Sequence, residues 1–511
     1  MSPTTPPRPA RFPYWVFVGG AALALGYLPS LTTPFDFIDD GSLVYPAPDD
    51  SSGGDYVRAW WDKVRANVAH LGPFRPVLWG HWELFANTFD GDAVAWRVSR
   101  LAWCGFAATT LLWLMRELGV PPPAALAAAA AAMWNPYRNE IWTSLTLSEG
   151  VAMPYALLAL VAARKAACSP APARWDALAF VSFVAALGCK NTFAALLPAL
   201  LALRIWPDGV TWRSGWAANR SRVGAYLLPL ALPAAHFVYF KLNWQAGHYE
   251  TPGPSVAQVS RIAFWMKGAA GFDFLGVGLV GVAAALLAGR RQAPSLRDLV
   301  GRHRALVLAS GCLFSAGVAV YLPVPIMAAR YTMPAVWGFD LAFALALTAH
   351  STRPRTPLKA LATLSLFVGL AVMLVANVGR QQKFAARSRV LWDALAHLEV
   401  AAPPGARLAW VSGETSSSAL NAEEGIHFQW HLSHRGRGDL RVGLVTEDGR
   451  PIPRDELPPL DGAADFRLAM SPATDPRWEP TREFAAAYWL GQRRFRCLLS
   501  ARQVAPADGA K

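Results

Sequence analysis

Charge is scarce in this chain. Only 16% of its 511 residues are Asp, Glu, Lys or Arg, against about a quarter in a typical soluble domain, which excludes an ordinary soluble globule. Cysteine is scarce as well. Cys104, Cys189 and Cys312 sit in apolar runs, Cys168 in a short basic connector and Cys497 in the polar tail. With no paired spacing and no CxxC, neither a disulfide framework nor a zinc site is supported. A glycine-rich phosphate loop and a nucleotide-sugar signature are both missing, which argues against a cytosolic nucleotide-sugar enzyme. No repeat of fixed period occurs, and the alanine run at 124–132 reads as a close-packing helix. The net charge of +13 comes from short basic clusters between apolar runs. They form no single patch, so no nucleic acid partner is expected.

What the chain does have is apolar length: 53% of it is hydrophobic and 12% aromatic, with 22 Trp and 25 Phe. A bilayer core of about 30 Å needs runs of about 17–25 residues. Candidate spans are 13–31, 95–115, 119–135, 148–163, 175–189, 191–206, 223–241, 272–289, 305–322, 331–349 and 358–378. The first follows Arg8 and Arg11 and lacks a small-x-small cleavage site, so it reads as a retained signal anchor. With the N-terminus cytoplasmic, the tail and inner loops hold eighteen Arg and Lys residues. The short outer loops hold six: Arg138, Lys190, Lys241, Arg261, Lys267 and Arg330. The positive-inside rule then predicts an N-terminus inside and a C-terminus outside.

Two segments are too polar to span. The first outer loop, 32–94, carries ten acidic residues. Within it "DYVRAWWDKVRANVAHLG" sets Val57, Trp60, Trp61, Val64 and Val68 at helical spacing, opposite Arg58, Asp62 and Arg65, which predicts an amphipathic helix in the outer interface. The second is the tail, 380–511. "ARLAWVSG" and "DLRVGLV" read as short strands about a helical "NAEEGIHFQWHLSHRG", with a last strand or two in "AYWLGQRRFRCLLSA" and loops at "SPATDPRWEP" and "APADGAK". The expected fold is an all-α polytopic membrane bundle of about eleven helices over 1–379, with a small extracytoplasmic α/β domain over 380–511.

Asp36, Asp39 and Asp40 fall within "PFDFIDDGSLVYP", at the outer mouth of the first span. They are either a solvated acidic loop, with Asp39 or Asp40 capping a helix, or they supply a general base at the lipid–water boundary. Neighbouring carboxylates and poor solvation both raise a carboxyl pKa, which suits a base.

An acidic pair in the first outer loop, a juxtamembrane helix, ten or more spans and an outer C-terminal domain together resemble the GT-C membrane glycosyltransferases. These include the protein O-mannosyltransferases and the aminoarabinose lipid A transferases, and the resemblance covers roughly 1–350. Four stretches carry it in order: "FIDDG", "PFRPVLW" (73–79), "GCKNTFAALLPALLAL" (188–203) and "MAARYTMPA" (327–335). The resemblance implies an inverting enzyme that takes a sugar from a polyprenyl-phosphate carrier on the outer face. It implies Asp39 as the base with Asp40 second and Asp36 nearby. A divalent cation stays an open option, since some relatives use one and others do not, and no residue pattern marks a metal site.

In such a reaction, cations on the leaving lipid phosphate stabilise its growing charge. Arg75, Lys190 and Arg330 are the candidates, with Tyr331 and Arg100 beside them and Glu149 as a second acid in the pocket. Each has a plainer role to set against this. Arg75 pairs with Asp62 or Glu83; Lys190 snorkels; Arg330 anchors headgroups and Tyr331 joins an aromatic belt; Arg97 and Arg100 meet lipid headgroups; Glu149 is a helix N-terminal charge. Asp340, deep in its span, is expected to pair with a cation on a neighbouring helix. His236 reads as a packed core histidine and "WVSGETSS" as a turn. The expected partners are the lipid-linked sugar, an acceptor protein, lipid or glycan, and membrane lipids of a bacterial-type inner membrane. The tail is a candidate for acceptor recognition by its position. The rival readings are a non-catalytic scaffold and a transporter of lipid-linked glycans. A transporter would concentrate ionisable residues near the midplane, in two matching halves.

Overall fold

The structure, a computed structural model, describes residues 13–37, 56–71, 74–89, 91–206, 210–235, 238, 256–288, 296–322, 329–352, 355–412, 422–446, 448–453, 457, 460, 464–470, 480–490 and 493–503. Its first helices are α1 (Tyr14–Ala24, continued by a 3-10 turn Leu25–Thr32), α2 (Tyr56–Leu71), α3 (Pro76–Phe89), α4 (Ala93–Glu117), α5 (Pro122–Met133) and α6 (Glu140–Thr143). Next come α7 (Ser148–Cys168), α8 (Pro172–Cys189), a 3-10 turn Asn191–Leu196, α9 (Leu197–Ile205) and α10 (Trp212–Leu227). The remainder are α11 (Val256–Ala269), α12 (Phe272–Ala288), α13 (Leu296–Arg302), α14 (Arg304–Tyr321), α15 (Ala335–Ser351), α16 (Pro357–Ala401) and α17 (Ala422–Leu432).

Five helices among the described residues are long and apolar enough to cross a membrane: Tyr14–Thr32, Ala93–Glu117, Ser148–Cys168, Arg304–Tyr321 and Pro357–Ala401. A sixth follows if α11 and α12, bent by 75° at the break between them, count as one. That break is the pair Ala270 and Gly271, and Gly271 takes a left-handed φ of 77° that favours glycine. Three more apolar helices, Pro122–Met133, Asn191–Ile205 and Ala335–Ser351, are shorter. The chain is thus a mainly helical, membrane-type bundle with a small sheet at its C-terminal end. The expected helical membrane-type bundle is present, while the described residues hold five or six helices of spanning length against the eleven spans expected. The apolar runs are helical wherever they are described, but several of the helices are short. Most of α5 is buried alanine, so it fills the space between other helices. His236 lies outside the described residues.

Close approach of backbones holds the bundle together. A β-carbon on Gly20 of α1 would lie 2.6 Å from the Thr109 nitrogen of α4, and one on Gly278 of α12 would lie 2.7 Å from Leu366 of α16. Lipid supplies no hydrophobic drive between helices, so dispersion at such small-residue crossings takes its place. The bend between α11 and α12 frees carbonyls that must find donors. Asn135 Nδ2 donates to Gly268 O (3.1 Å) and Ala269 O (2.7 Å), and Arg138 Nε donates to Ala269 O (2.6 Å). The Arg138 fork then grips Asp340 of α15 at 2.7 and 2.9 Å. Asp340 therefore has the cationic partner its depth in the span demanded.

The loop between α1 and α4 holds two helices. The predicted surface helix is present as α2, with its buried stripe turned from the expected one. Ala59, Val64 and Asn67 are buried, while Val57 and Trp61 are exposed beside Arg58, Asp62 and Arg65. The reason is α3, which was not expected from the sequence. Trp60 Nε1 donates to Pro76 O at 2.7 Å, and buried Glu83 of α3 pairs with Lys63. Leu78, Trp82 and Ala86, spaced by four, were the signal for it.

The tail forms a five-stranded sheet: β1 (Arg407–Val411), β2 (Arg441–Val445), β3 (Phe466–Met470), β4 (Pro480–Leu490) and β5 (Arg493–Gln503). The order is β2-β1-β3-β5-β4, with β1 parallel to β2 and β3, and β5 antiparallel to β3 and β4. Strand β3 was not expected from the sequence. A second core joins Trp410, Phe428, Leu432, Val442, Leu444 and Leu468 to the last turns of α16, from Val390 to Leu398. A division at residue 380 therefore falls inside one continuous 45-residue helix.

This packing sets the response to two substitutions. Asp340→Ala strands the Arg138 guanidinium in a buried site, and a stability loss of about 3–5 kcal/mol is expected in thermal unfolding of the detergent-solubilised protein. His431 is fully buried beside Phe37 and Trp392. Burial, and next His427, push its pKa down to about 3. The unfolded chain takes up this proton near pH ~6.5. The tail's stability should therefore be full above about pH 6.5 and decline as the pH falls toward 3. His431→Gln should flatten that slope, read by tryptophan fluorescence during denaturant unfolding at stepped pH.

Candidate active site

The site begins with two arginines one turn apart on α4. Arg97 donates to Thr33 O (3.3 Å), Pro34 O (2.9 Å) and Thr143 O. Arg100 donates to Ile141 O (2.9 Å), Ser144 O (3.0 Å) and Leu147 O (3.0 Å). They gather carbonyls of α6 and of the irregular stretch that joins it to α7, together with those of the segment leaving α1. Gly150 makes this possible, because a β-carbon there would lie 2.4 Å from the Arg100 guanidinium and 2.5 Å from Ile141 O. The stretch then delivers Glu149 into the first turn of α7, where the helix dipole favours a carboxylate.

Lys190 meets Glu149 from the other side. It stands in extended conformation (φ −158°, ψ 120°) where α8 ends and the 3-10 turn begins. The two buried side chains form an ion pair through Lys190 Nζ and Glu149 Oε1. Tyr331 lies beneath both neighbouring cations: Lys190 Nζ is 4.7 Å from its ring centre and the Arg330 guanidinium 5.0 Å. Arg330 is paired in turn with Glu140 of α6 at 3.0 Å. Arg75 arrives through α3. A β-carbon on Gly188 would meet Val77 at 2.6 Å, so the start of α3 leans on the end of α8 and brings Arg75 within electrostatic reach of Cys189 and Lys190. Both Arg75 and Arg330 act electrostatically on the Lys190 ammonium. Tyr321 of α14 closes this side by donating to Thr192 Oγ1 at 3.1 Å.

Of the residues singled out in sequence, Arg75, Lys190, Arg330, Tyr331 and Glu149 come together. Of the partners considered for Arg75, Asp62 is held by Arg65 and Arg58, and Glu83 by Lys63 and Asn87. Lys190 is turned inward to Glu149, away from the outer surface. Arg100 lies next to the cluster but gives its hydrogen bonds to backbone carbonyls. Asp36 is buried at the far end of the Arg97-bound segment, its Oδ1 accepting from Phe37 N at 2.8 Å. Asp39 and Asp40 lie outside the described residues. Glu140, Thr192 and Tyr321 were not foreseen from the sequence. Glu140 had a signal, being a carboxylate in a very short connection between apolar runs; Thr192 and Tyr321 had none.

The described part of the cluster combines three cations, two carboxylates and two phenols at one end of the bundle. The same end receives the start of α4 and α7 and the end of α14. A small cleft beside Arg100, about 10 Å³ and so roomy enough for about one water molecule, is lined by His81, Phe85, Trp96, Ser99, Trp103 and Leu145. Among the described residues no group of three or more His, Cys, Asp or Glu side chains is arranged to hold a metal ion. The cationic array suits an oxyanion held by point charges and a planar fork together. No protein-family model and no curated protein matches this chain.

The Glu149–Lys190 pair makes a sharp stability prediction. Removing one partner leaves a buried charge, so Glu149→Leu alone should cost about 3–5 kcal/mol, while Glu149→Leu with Lys190→Met should recover most of it. Thermal unfolding in detergent reads the cycle, and additive losses would show that the two side chains do not depend on each other.

Proposed function

We propose that the protein is a polytopic membrane glycosyltransferase that moves a sugar from a polyprenyl-phosphate carrier to an acceptor hydroxyl, with inversion. The observation that carries this reading is the convergence of Lys190 and Arg330 about Tyr331 and Glu149, with Arg75 within electrostatic reach of Lys190. Three basic residues far apart in the chain meet at the bundle end from which the acidic first loop departs. The opposite end carries the short-range basic clusters, with Arg116 and Lys165 on Glu117 and Arg204 on Asp176. Under the positive-inside rule that end is cytoplasmic. The cation cluster and the tail domain are then extracytoplasmic, in a bundle of about eleven spans.

In the reaction, the acceptor oxygen attacks the anomeric carbon while a carboxylate takes its proton. Asp39 is the proposed base, with Asp40 second and Asp36 behind them. The bond from the anomeric carbon to the phosphate oxygen breaks, and its electron pair leaves with the polyprenyl phosphate. Arg75, Lys190 and Arg330 stabilise that oxyanion as its charge grows, which lowers the barrier beyond any effect on binding. Tyr331 fixes the two cations that flank its ring. A metal is not required by this step, and a divalent cation would add to the same charge stabilisation.

The test is transfer from a polyprenyl-phosphate sugar by the purified full-length protein in lipid nanodiscs. Asp39→Asn should lower the rate about 100-fold or more with unfolding temperature unchanged, and Arg330→Ala about 100- to 1,000-fold. Wild-type rates in both variants would favour a scaffold. Cells without the protein should accumulate under-glycosylated acceptor together with unspent carrier-linked sugar.

A further inference from the structure

Tryptophans mark one end of the bundle. Trp175 stands in the first turn of α8, with Lys165 Nζ 5.9 Å and the Arg174 guanidinium 5.5 Å from its ring centre. Trp206 closes α9, and the Arg304 guanidinium at the start of α14 lies 5.3 Å from its ring centre. Indole rings beside cations at helix ends mark the level of a membrane–water boundary. Trp212 and Trp216 extend this row along α10. The ring centres of Trp206 and Trp212 are 4.6 Å apart, and those of Trp212 and Trp216 are 5.5 Å apart.

The roll of α10 is fixed by its inner side. A β-carbon on Gly215 would collide with Ile205 O, so the helix lies directly on the end of α9. Asn219 accepts from Arg204, the Tyr226 hydroxyl donates to Asp176 Oδ1 at 2.8 Å, and Arg222 stands 3.5 Å from Asp176 Oδ2. Residues 215, 219, 222 and 226 share one face at helical spacing. A neighbouring face, about 100° of arc, then holds Trp212, Arg213, Trp216, Arg220, Val223 and Leu227. Trp212 is 45% exposed, Trp216 40% and Leu227 45%, and both arginines are exposed. Residues 210–227 contain no Asp or Glu. Among the described residues no carboxylate pairs with Arg213 or Arg220. A helix bathed in water mixes both signs of charge and does not set two tryptophans side by side. Apolar rings flanked by arginine suit a helix lying in a headgroup layer.

We propose that this face of α10 is a binding surface for anionic phospholipid. Trp212, Trp216, Val223 and Leu227 meet the upper acyl chains, and Arg213 and Arg220 meet the headgroup phosphates. Net negative charge on the lipid is the selecting feature, because a zwitterionic headgroup brings a cation of its own to an already basic surface. Each arginine near an anionic surface contributes about a fivefold preference. Only a bilayer around the bundle is needed, and the transferase reading plays no part. Under the positive-inside rule this end of the bundle is cytoplasmic, and the cytoplasmic leaflet is the one with a negative surface.

In the experiment, the full-length protein in detergent is titrated with phosphatidylglycerol or phosphatidylcholine, and bound lipid is counted by native mass spectrometry. Wild type is compared with Arg213→Gln/Arg220→Gln and with Arg441→Gln/Arg450→Gln, which removes the same charge from exposed arginines of the tail. Wild type should bind phosphatidylglycerol more tightly than phosphatidylcholine. The α10 pair should lose about 30-fold in affinity for phosphatidylglycerol, and each single substitution about fivefold. The tail pair and Arg213→Lys/Arg220→Lys should keep the wild-type affinity, and Trp216→Ser should weaken both lipids by the same factor. The single substitutions carry the test if the pair does not fold. Unchanged affinity in them would overturn the proposal. So would equal affinity of the wild type for the two lipids, which would leave the face to a soluble acidic partner. Displacement of the lipid by inorganic phosphate at matched concentration would overturn it too, by showing a simple anion site.

Discussion

Two arginines on adjacent turns of one helix collect six backbone carbonyls, and the rest of the candidate site depends on that collection. In hydrocarbon an unsatisfied carbonyl costs several kcal/mol, so irregular chain is tolerated at membrane depth only where donors replace water. Arg97 and Arg100 are those donors for residues 33–34 and 141–147. Without them, neither the stretch that delivers Glu149 nor the segment that leads to Asp36 could hold its course. Their charge thus serves the fold, although a basic residue at a helix start beside an acidic loop invites a ligand-binding reading.

The two ends of the bundle use ionisable groups differently. At one end, ion pairs join Glu117 to Lys165 and Asp176 to Arg204, and the Tyr226 hydroxyl donates to Asp176 as well. These pairs tie adjacent helices and are satisfied locally. At the other end, Lys190 and Arg330 come from separate parts of the chain and crowd about one phenol ring and two carboxylates, with Arg75 within electrostatic reach of Lys190. Like charges held together repel one another, which seldom favours the fold alone, and such clusters commonly receive an anion.

Helix α16 links the two parts of the molecule. Its first half packs against α12 through Gly278, Gly281 and Gly369, and its last turns lie in the core of the tail. A continuous helix cannot kink without disturbing its hydrogen-bond ladder, so α16 carries its direction from the bundle into the core of the tail. Phe37, buried beside Trp392 and His431, adds a second, independent tie to the same core.

How far these features were legible in the residues alone varied. The membrane class, the helical runs, the surface helix and most strands of the tail followed from composition and periodicity, which are local properties. Glu149, Lys190, Arg330 and Tyr331 were legible because each stands at the end of an apolar run, whereas Arg75, within the polar first loop, was singled out only by the resemblance of its stretch to a family motif. Helix α3 was hidden by its polar neighbours, strand β3 by its brevity, and Thr192 and Tyr321 by having no local pattern of their own. By itself, then, the sequence determined where the chain is apolar, where it turns and which ends carry charge, since these depend on neighbours a few residues away. Only the tertiary structure decided which charges meet, that Arg100 serves carbonyls, and that Phe37 belongs to the tail. Those outcomes depend on helix crossings, set by a methyl group's worth of space at Gly20, Gly150 and Gly188.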